Sequence, residues 1–226
     1  MTHLLLLETS GKNCSAAIAC DGTILSQRLA NAEHFIHAEQ LHQMLSELIS
    51  ESELNWRQIS GICVSKGPGS YTGLRIGISA AKGLCFALGI PLMAIDTTHL
   101  LATHAANIYR DAQVILPMID ARRMEVYMAE FDGKANRQSP DQAVIIDEST
   151  FSKFNPEALV LIGDGVAKCR HLLNSRVRFL CTLPTAEMMC ELALQCYEGQ
   201  QFEDTAYFEP FYLKEYTPGI SSKSVL

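Results

Sequence analysis

One order of elements can be read twice along these 226 residues: three strands, then helix, strand, helix, strand, helix. A chain that must build two such units is left very few topologies, because parallel strands joined through helices need right-handed crossovers. In the first pass Leu4–Glu8 is a short apolar strand. Cys14–Cys20 and Thr23–Leu29 flank Asp21-Gly22, a pair suited to a tight hairpin turn. Leu41, Met44, Leu45, Leu48 and Ile49 then recur at helical spacing from about His37. A strand over Gly61–Ser65, a glycine-spaced helix running to about Leu88, a strand over Leu92–Asp96 and a helix capped near Thr97 or Thr98 complete the unit.

The second pass starts with a hairpin, Gln113–Ile119 and Met124–Phe131 around Asp120-Ala121-Arg122-Arg123, and a third strand over Ala143–Asp147. A short helix near Glu148–Phe154, a strand over Leu159–Ile162, and a helix opened by Gly163-Asp164-Gly165 and running to about Asn174 follow. A strand over Val177–Leu180 and a long helix from Thr185 through Tyr197 close it. The two passes share order but no visible sequence identity, which places a boundary near residues 110/111 and predicts lobes 1–110 and 111–226. The expected fold class is α/β, with tandem ribonuclease H-like lobes of the actin, Hsp70 and sugar kinase type, each βββαβαβα. In that architecture a nucleotide sits between the lobes, touched by the first hairpin of each. Here those hairpins carry Thr9-Ser10-Gly11-Lys12 and Asp120-Ala121-Arg122-Arg123. The second has only bulky side chains at its tip, so its backbone amides are poorly placed to cradle a phosphate, and a degenerate cleft is expected at Thr9, Ser10, Asp120 and Arg122.

The densest punctuation lies between the strand ending near Ser65 and the next helix: Gly67, Pro68, Gly69, Ser70, Tyr71, Thr72, Gly73, Leu74, Arg75. Glycines so packed at a strand-to-helix junction mean that something approaches the backbone closely. The segment is not a P-loop, since the G-K-[ST] ending is absent, and it is not a dinucleotide fingerprint, since Thr72 stands where the third glycine belongs. Gly73, Gly77 and Ala80 share one helical face, which would let another backbone come near.

Composition narrows the function classes. With 18 basic against 25 acidic residues the net charge is −7, which disfavours a free-standing nucleic-acid binder. The Leu4–Leu7 run is too short for a signal segment, and Pro91 interrupts the longest apolar stretch, so neither export nor a membrane span is expected. Eight cysteines without a C-x-x-C pair read as reduced core residues of a cytoplasmic protein; Cys190 and Cys196 are not spaced as a ligand pair.

With these residues in view, the chain resembles the bacterial TsaB (YeaZ) family. The resemblance rests on Glu8-Thr9-Ser10, the Gly67-to-Arg75 loop, Asp120-Ala121-Arg122, Gly163-Asp164-Gly165 and Glu209-Pro210-x-Tyr212-Leu213. It implies a non-catalytic subunit of the machinery that makes N6-threonylcarbamoyladenosine (t6A) in tRNA. It further implies pairing with the catalytic paralogue TsaD, joined by the ATPase TsaE, while TsaC or its relative supplies the threonylcarbamoyl-adenylate. ATP and metal then belong to the partner subunits, tRNA is met only within the complex, and the chain alone forms a homodimer. The pairing surface in the family is the first two helices. Carried onto this sequence, that surface comprises Leu41, Leu45 and Leu48 on the first helix with Gly73, Ile76, Gly77 and Ala80 on the second, packing as a four-helix bundle.

Competing readings are weighed on the same residues. His34, His37, Glu39 and His42 crowd the start of a helix without H-E-x-x-H spacing, a pattern more often solvated than metal-binding. Asp120, at a strand end, is the best catalytic-looking carboxylate, with a turn-anchoring ion pair to its neighbours Arg122 and Arg123 as the equal alternative. An active kinase or ATPase would need phosphate-gripping residues in both hairpins. A glycoprotease-like peptidase would need a nucleophile and base that no motif here supplies.

Overall fold

The computed structural model describes residues 1–31, 37–173 and 175–214. Its first half contains β1 (His3–Glu8), β2 (Asn13–Cys20), β3 (Thr23–Asn31), α1 (His37–Glu51), β4 (Ile59–Gly67), α2 (Tyr71–Leu88), β5 (Leu92–Asp96) and α3 (Thr97–Ile108). The second contains β6 (Val114–Asp120), β7 (Glu125–Met128), the two-residue β8 (Phe131–Asp132), β9 (Gln142–Ile145), β10 (Leu159–Ile162), α4 (Val166–Cys169), β11 (Arg178–Leu180) and α5 (Cys190–Glu198). Among the described residues no helix is long and apolar enough to cross a membrane.

The first sheet runs β3-β2-β1-β4-β5 and the second β11-β10-β6-β7-β9. Read from the third strand of each unit, the two orders are the same. In both, the opening strands pair antiparallel (β1–β2–β3, β6–β7–β9) and the crossover strands pair parallel (β1–β4–β5, β6–β10–β11). The expected α/β double unit is therefore present. The apolar run Leu4-Leu5-Leu6-Leu7 explains why β1 is central: Leu5 and Leu7 enter one core with α1 and α2, while Leu4 and Leu6 enter another on the opposite face. A strand covered on both faces needs apolar residues at every position rather than at alternate ones.

Three expectations are corrected. The segment over Glu148–Phe154 forms turns rather than a helix. There the Asp147 carboxylate accepts from Ser149 N, Thr150 N and both hydroxyls, an arrangement that competes with helical bonding. The helix after Gly165 lasts four residues and ends in a 3₁₀ turn at Arg170–Leu172. Third, the lobes do not divide at residue 110. Leu101, Ala102 and Ala105 of α3 lie in the core of the second sheet with Ile115, Ile119, Val160 and Ile162. In exchange, Leu192 and Ala193 of α5 lie against Leu4, Leu6 and Met93 of the first. Each half closes the other's core, so a cut near residue 110 would expose apolar surface on both sides.

Candidate functional site

The glycine loop is built around the end of β1. Ser70 caps α2, its Oγ accepting from Gly73 N at 3.2 Å, and its own N–H donates to Ser10 O at 2.7 Å. Thr9 Oγ1 donates to Gly73 O at 2.8 Å. A Cβ on Gly69 would stand 2.5 Å from Ser10 O, and one on Gly77 would stand 2.2 Å from Thr9 Oγ1. The small residues thus let α2 press onto its own β1–β2 turn. This overturns the assignment of Gly73 and Gly77 to a partner-facing surface. Leu41, Leu45 and Leu48 of α1 are likewise buried in the chain's own core and cannot make direct contacts with another subunit.

The outward face of the same helix pair is different. A groove of about 510 Å³ runs between α1 and α2, lined by His42, Arg75, Ile76, Ser79, Ala80, Gly83 and Leu84. Ser79 and Gly83 are exposed and one turn apart, and a Cβ on Gly83 would meet nothing within 4 Å. Phe86, one turn beyond Gly83 on the same helix, is 87% exposed. Of the expected interface residues, Ile76 and Ala80 line this groove. The sequence signal for its small ridge was Ser79 and Gly83 at i, i+4, masked by the better-known glycines one face away. His42 lies on this open side, while His34 lies outside the described residues.

A strap, residues 202–214, lies along the other flank of α2. Lys82 Nζ donates to Ala206 O (3.2 Å) and Phe208 O (2.8 Å), and Phe211 N donates to Lys66 O at 2.7 Å. Tyr212 stacks on Tyr71 at 4.6 Å, and the Arg75 guanidinium donates to the Tyr71 hydroxyl at 3.0 Å. The glycine loop, with Pro68, Tyr71, Thr72 and Arg75, is therefore held between the first hairpin and the strap.

In the cleft, three of the expected groups, Thr9, Ser10 and Asp120, are engaged internally, whereas the Arg122 side chain is exposed. Glu8 Oε1 accepts from Ser10 N and Ser10 Oγ, both at 2.6 Å. Burial pushes the Glu8 carboxyl up, and the two Ser10 bonds only partly offset it. Ser65 Oγ, close by without hydrogen-bond geometry, eases the charge a little further. Asp120 Oδ1 lies 2.6 Å from Lys168 Nζ and accepts from Arg122 N at 2.7 Å, and its Oδ2 lies 3.9 Å from Lys12 Nζ on the opposite hairpin. Burial raises the Asp120 carboxyl, but these three donors outweigh it and leave it below the ordinary aspartate value. These contacts are those of a turn anchor, but the pairing cations are Lys168 and Lys12 rather than the expected Arg122 and Arg123, of which only Arg122 N takes part. Asp164 accepts from Asp120 N at 2.9 Å, and its burial pushes its carboxyl up.

One cluster had no sequence motif. Arg137 Nη2 lies 3.4 Å from Asp96 Oδ2 and donates to Thr98 Oγ1 at 3.1 Å, and its Nη1 lies 3.1 Å from Asp141 Oδ2. Thr98 Oγ1 donates to Asp141 Oδ1 at 2.6 Å, and the guanidinium carbon sits 4.8 Å from the centre of the Phe131 ring. This bolt fastens the end of β5 to the loop between β8 and β9.

A family model described as TsaD, tRNA N6-adenosine threonylcarbamoyltransferase, matches residues 30–149, over half the chain. The chain belongs to that family. Within it, the chain falls with the TsaB (YeaZ) proteins. It is 28% identical over 230 residues to the tRNA threonylcarbamoyladenosine biosynthesis protein TsaB of Escherichia coli (strain K12), covering 94% of each chain. A structure of YeaZ from Pseudomonas aeruginosa matches with a TM-score of 0.77 at 27% identity, covering 94% of this chain and 100% of that one. A tRNA N6-adenosine threonylcarbamoyltransferase of Erythrobacter litoralis (strain HTCC2594) is 26% identical over 178 residues, which is 71% of this chain but 51% of that protein.

Proposed function

We propose that this chain is a non-catalytic subunit of t6A synthesis that pairs with the catalytic TsaD paralogue through the outward face of α1 and α2. The observation that carries the reading is a contrast between two surfaces. In the cleft the hydroxyls of Thr9 and Ser10 and the carboxylate of Asp120 are all bonded within the chain. On the helix pair, an open groove with a small-residue ridge at Ser79 and Gly83 has no covering element among the described residues. Two such helix pairs can pack at interaxial distances of about 8–10 Å when the contact residues are small.

On this reading ATP and metal are held by the partner subunits, TsaE joins the pair, and the assembly works in the cytoplasm. A homodimer of the free chain uses the same face and competes with the paralogue. The test is co-purification with the paralogue, with and without nucleotide, beside a phosphate-release assay on the chain alone. A stable pair and no release above buffer is the expected result. Sustained turnover by the isolated chain would instead favour the kinase or ATPase reading.

A further inference from the structure

The hairpin tip between β6 and β7 is strained, rigidly anchored and cationic. Arg122 and Arg123 both have left-handed backbones, with φ of 69° and 47°. Side chains disfavour that region, and turns that need only to close fill it with Gly, Asn or Asp. Both arginines are exposed, and neither forms an ion pair among the described residues. The backbone beneath them is pinned. Ala121 N donates to Glu125 O at 3.1 Å, and Glu125 N donates to Arg122 O at 3.2 Å. Asp120 Oδ1 holds Arg122 N, and Lys168 Nζ is anchored both to Asp120 and to Glu125 O, the latter at 2.8 Å. Lys214 pairs with the Glu125 carboxylate from the other side.

We infer that Arg122 and Arg123 form a preorganised contact for the phosphodiester backbone of the RNA that the assembly modifies. Backbone strain marks positions whose side chains must be placed, and here the side chains placed are two guanidiniums, suited to bidentate bonding of phosphate oxygens. Lys168 and Lys214 are matched by Asp120 and Glu125, so the uncompensated charge at the tip is that of the two arginines. Lys12, 73% exposed on the facing hairpin, adds a third cation at the rim. A chain of net charge −7 repels a polyanion as a whole, so a local cationic tip fixes where such a ligand can touch it. A free nucleotide could offer the same phosphate chemistry. However, the Lys12–Asp120 contact joins the two hairpins, and both arginines are exposed on the tip beyond Asp120.

The inference rests on the assignment of the chain to a tRNA-modifying assembly, and the experiment separates the two. The complex with the catalytic paralogue is assembled from wild type, from R122N/R123N and from R122K/R123K. Assembly, ATP affinity and tRNA affinity across a salt series are then measured. Asparagine tolerates the left-handed backbone, so R122N/R123N keeps the turn while removing both charges. The expected result is normal assembly and ATP affinity, tRNA binding weakened about tenfold, and a log K against log salt slope reduced by about 1–2. R122K/R123K should retain most of the slope. Wild-type tRNA affinity and slope in R122N/R123N would overturn the inference. So would a loss confined to assembly, which would make the tip a protein contact, or a loss confined to ATP. If wild type itself fails to assemble, the pairing reading fails, and the inference that rests on it falls with it.

Discussion

Thr9 and Gly77 touch across the junction of β1 and α2: a Cβ on Gly77 would lie 2.2 Å from Thr9 Oγ1 and 3.3 Å from Thr9 Cβ. That contact decides which way the helix faces. The glycines admit the chain's own first hairpin, and the pairing proposed above is left to the residues on the other side of α2.

Gly77→Leu should therefore damage the fold itself. Overpacking a close contact costs about 1–3 kcal/mol, and more where the neighbour is a backbone-anchored side chain. A markedly lower melting temperature of the isolated chain is expected. Gly83→Leu, where a Cβ meets nothing within 4 Å, should leave melting within error while pairing with the paralogue is lost. A stable Gly77→Leu variant that fails to pair would reverse the assignment of the two faces.

Removing the bolt between β5 and the β8–β9 loop should loosen the halves. Arg137→Ala leaves Asp141, whose side chain is only 5% exposed, without its cation. Charge-assisted bonds of this kind contribute about 1.5–3 kcal/mol, and a loss of about 2 kcal/mol in denaturant stability is expected. Hydrogen exchange should rise in α3 and β9 before it rises in β1. Uniform protection in the variant would show that the cluster is only a surface pair.

Glu8 gives a pH dependence with a definite sign. Its carboxyl is raised in the folded chain by burial, so folding favours the protonated form. Its contribution is fully present below the unfolded value, near 4.5, and is lost as pH rises through the elevated folded value. Glu8→Gln keeps an acceptor for Ser10 N and Ser10 Oγ and can offer a donor to Ser65 Oγ, which has no partner in the wild type. Denaturation midpoints above pH 4.5 should fall less steeply in the variant. Parallel pH profiles would show that Glu8 is not the group responsible.

The strap should add modestly to stability. Tyr212→Ala deletes the stack on Tyr71, and aromatic pairs are worth about 0.5–1.5 kcal/mol beyond the area they bury. A drop of about 1 kcal/mol is expected, whereas Tyr212→Phe should hold within a few tenths. Equal losses for both would implicate the hydroxyl rather than the ring.

Much of the architecture was legible in the residues. The unbroken Leu4–Leu7 run marked a strand buried on both sides, Asp21-Gly22 marked a hairpin, and the spacing of Leu41, Leu45 and Leu48 marked an amphipathic helix. The glycine loop was legible as a place of close approach. The Arg137 cluster was not legible, because it joins two segments some forty residues apart, Asp96 and Thr98 at one junction and Arg137 and Asp141 in one loop.

The sequence by itself determined the order of the elements, apart from the turns that replace a helix over Glu148–Phe154, and the closeness demanded at Gly69, Gly73 and Gly77. Hydrophobic period and steric allowance are local properties, written residue by residue. Only the tertiary structure decided what comes close. A small-residue face admits the chain's own β1 turn or another subunit's helix equally well, and only the position of Thr9 settles it. The same holds for α3 and α5, whose apolar faces would fit either sheet. Each covers the sheet of the other half, because the chain path brings it there and burial carries no sequence address.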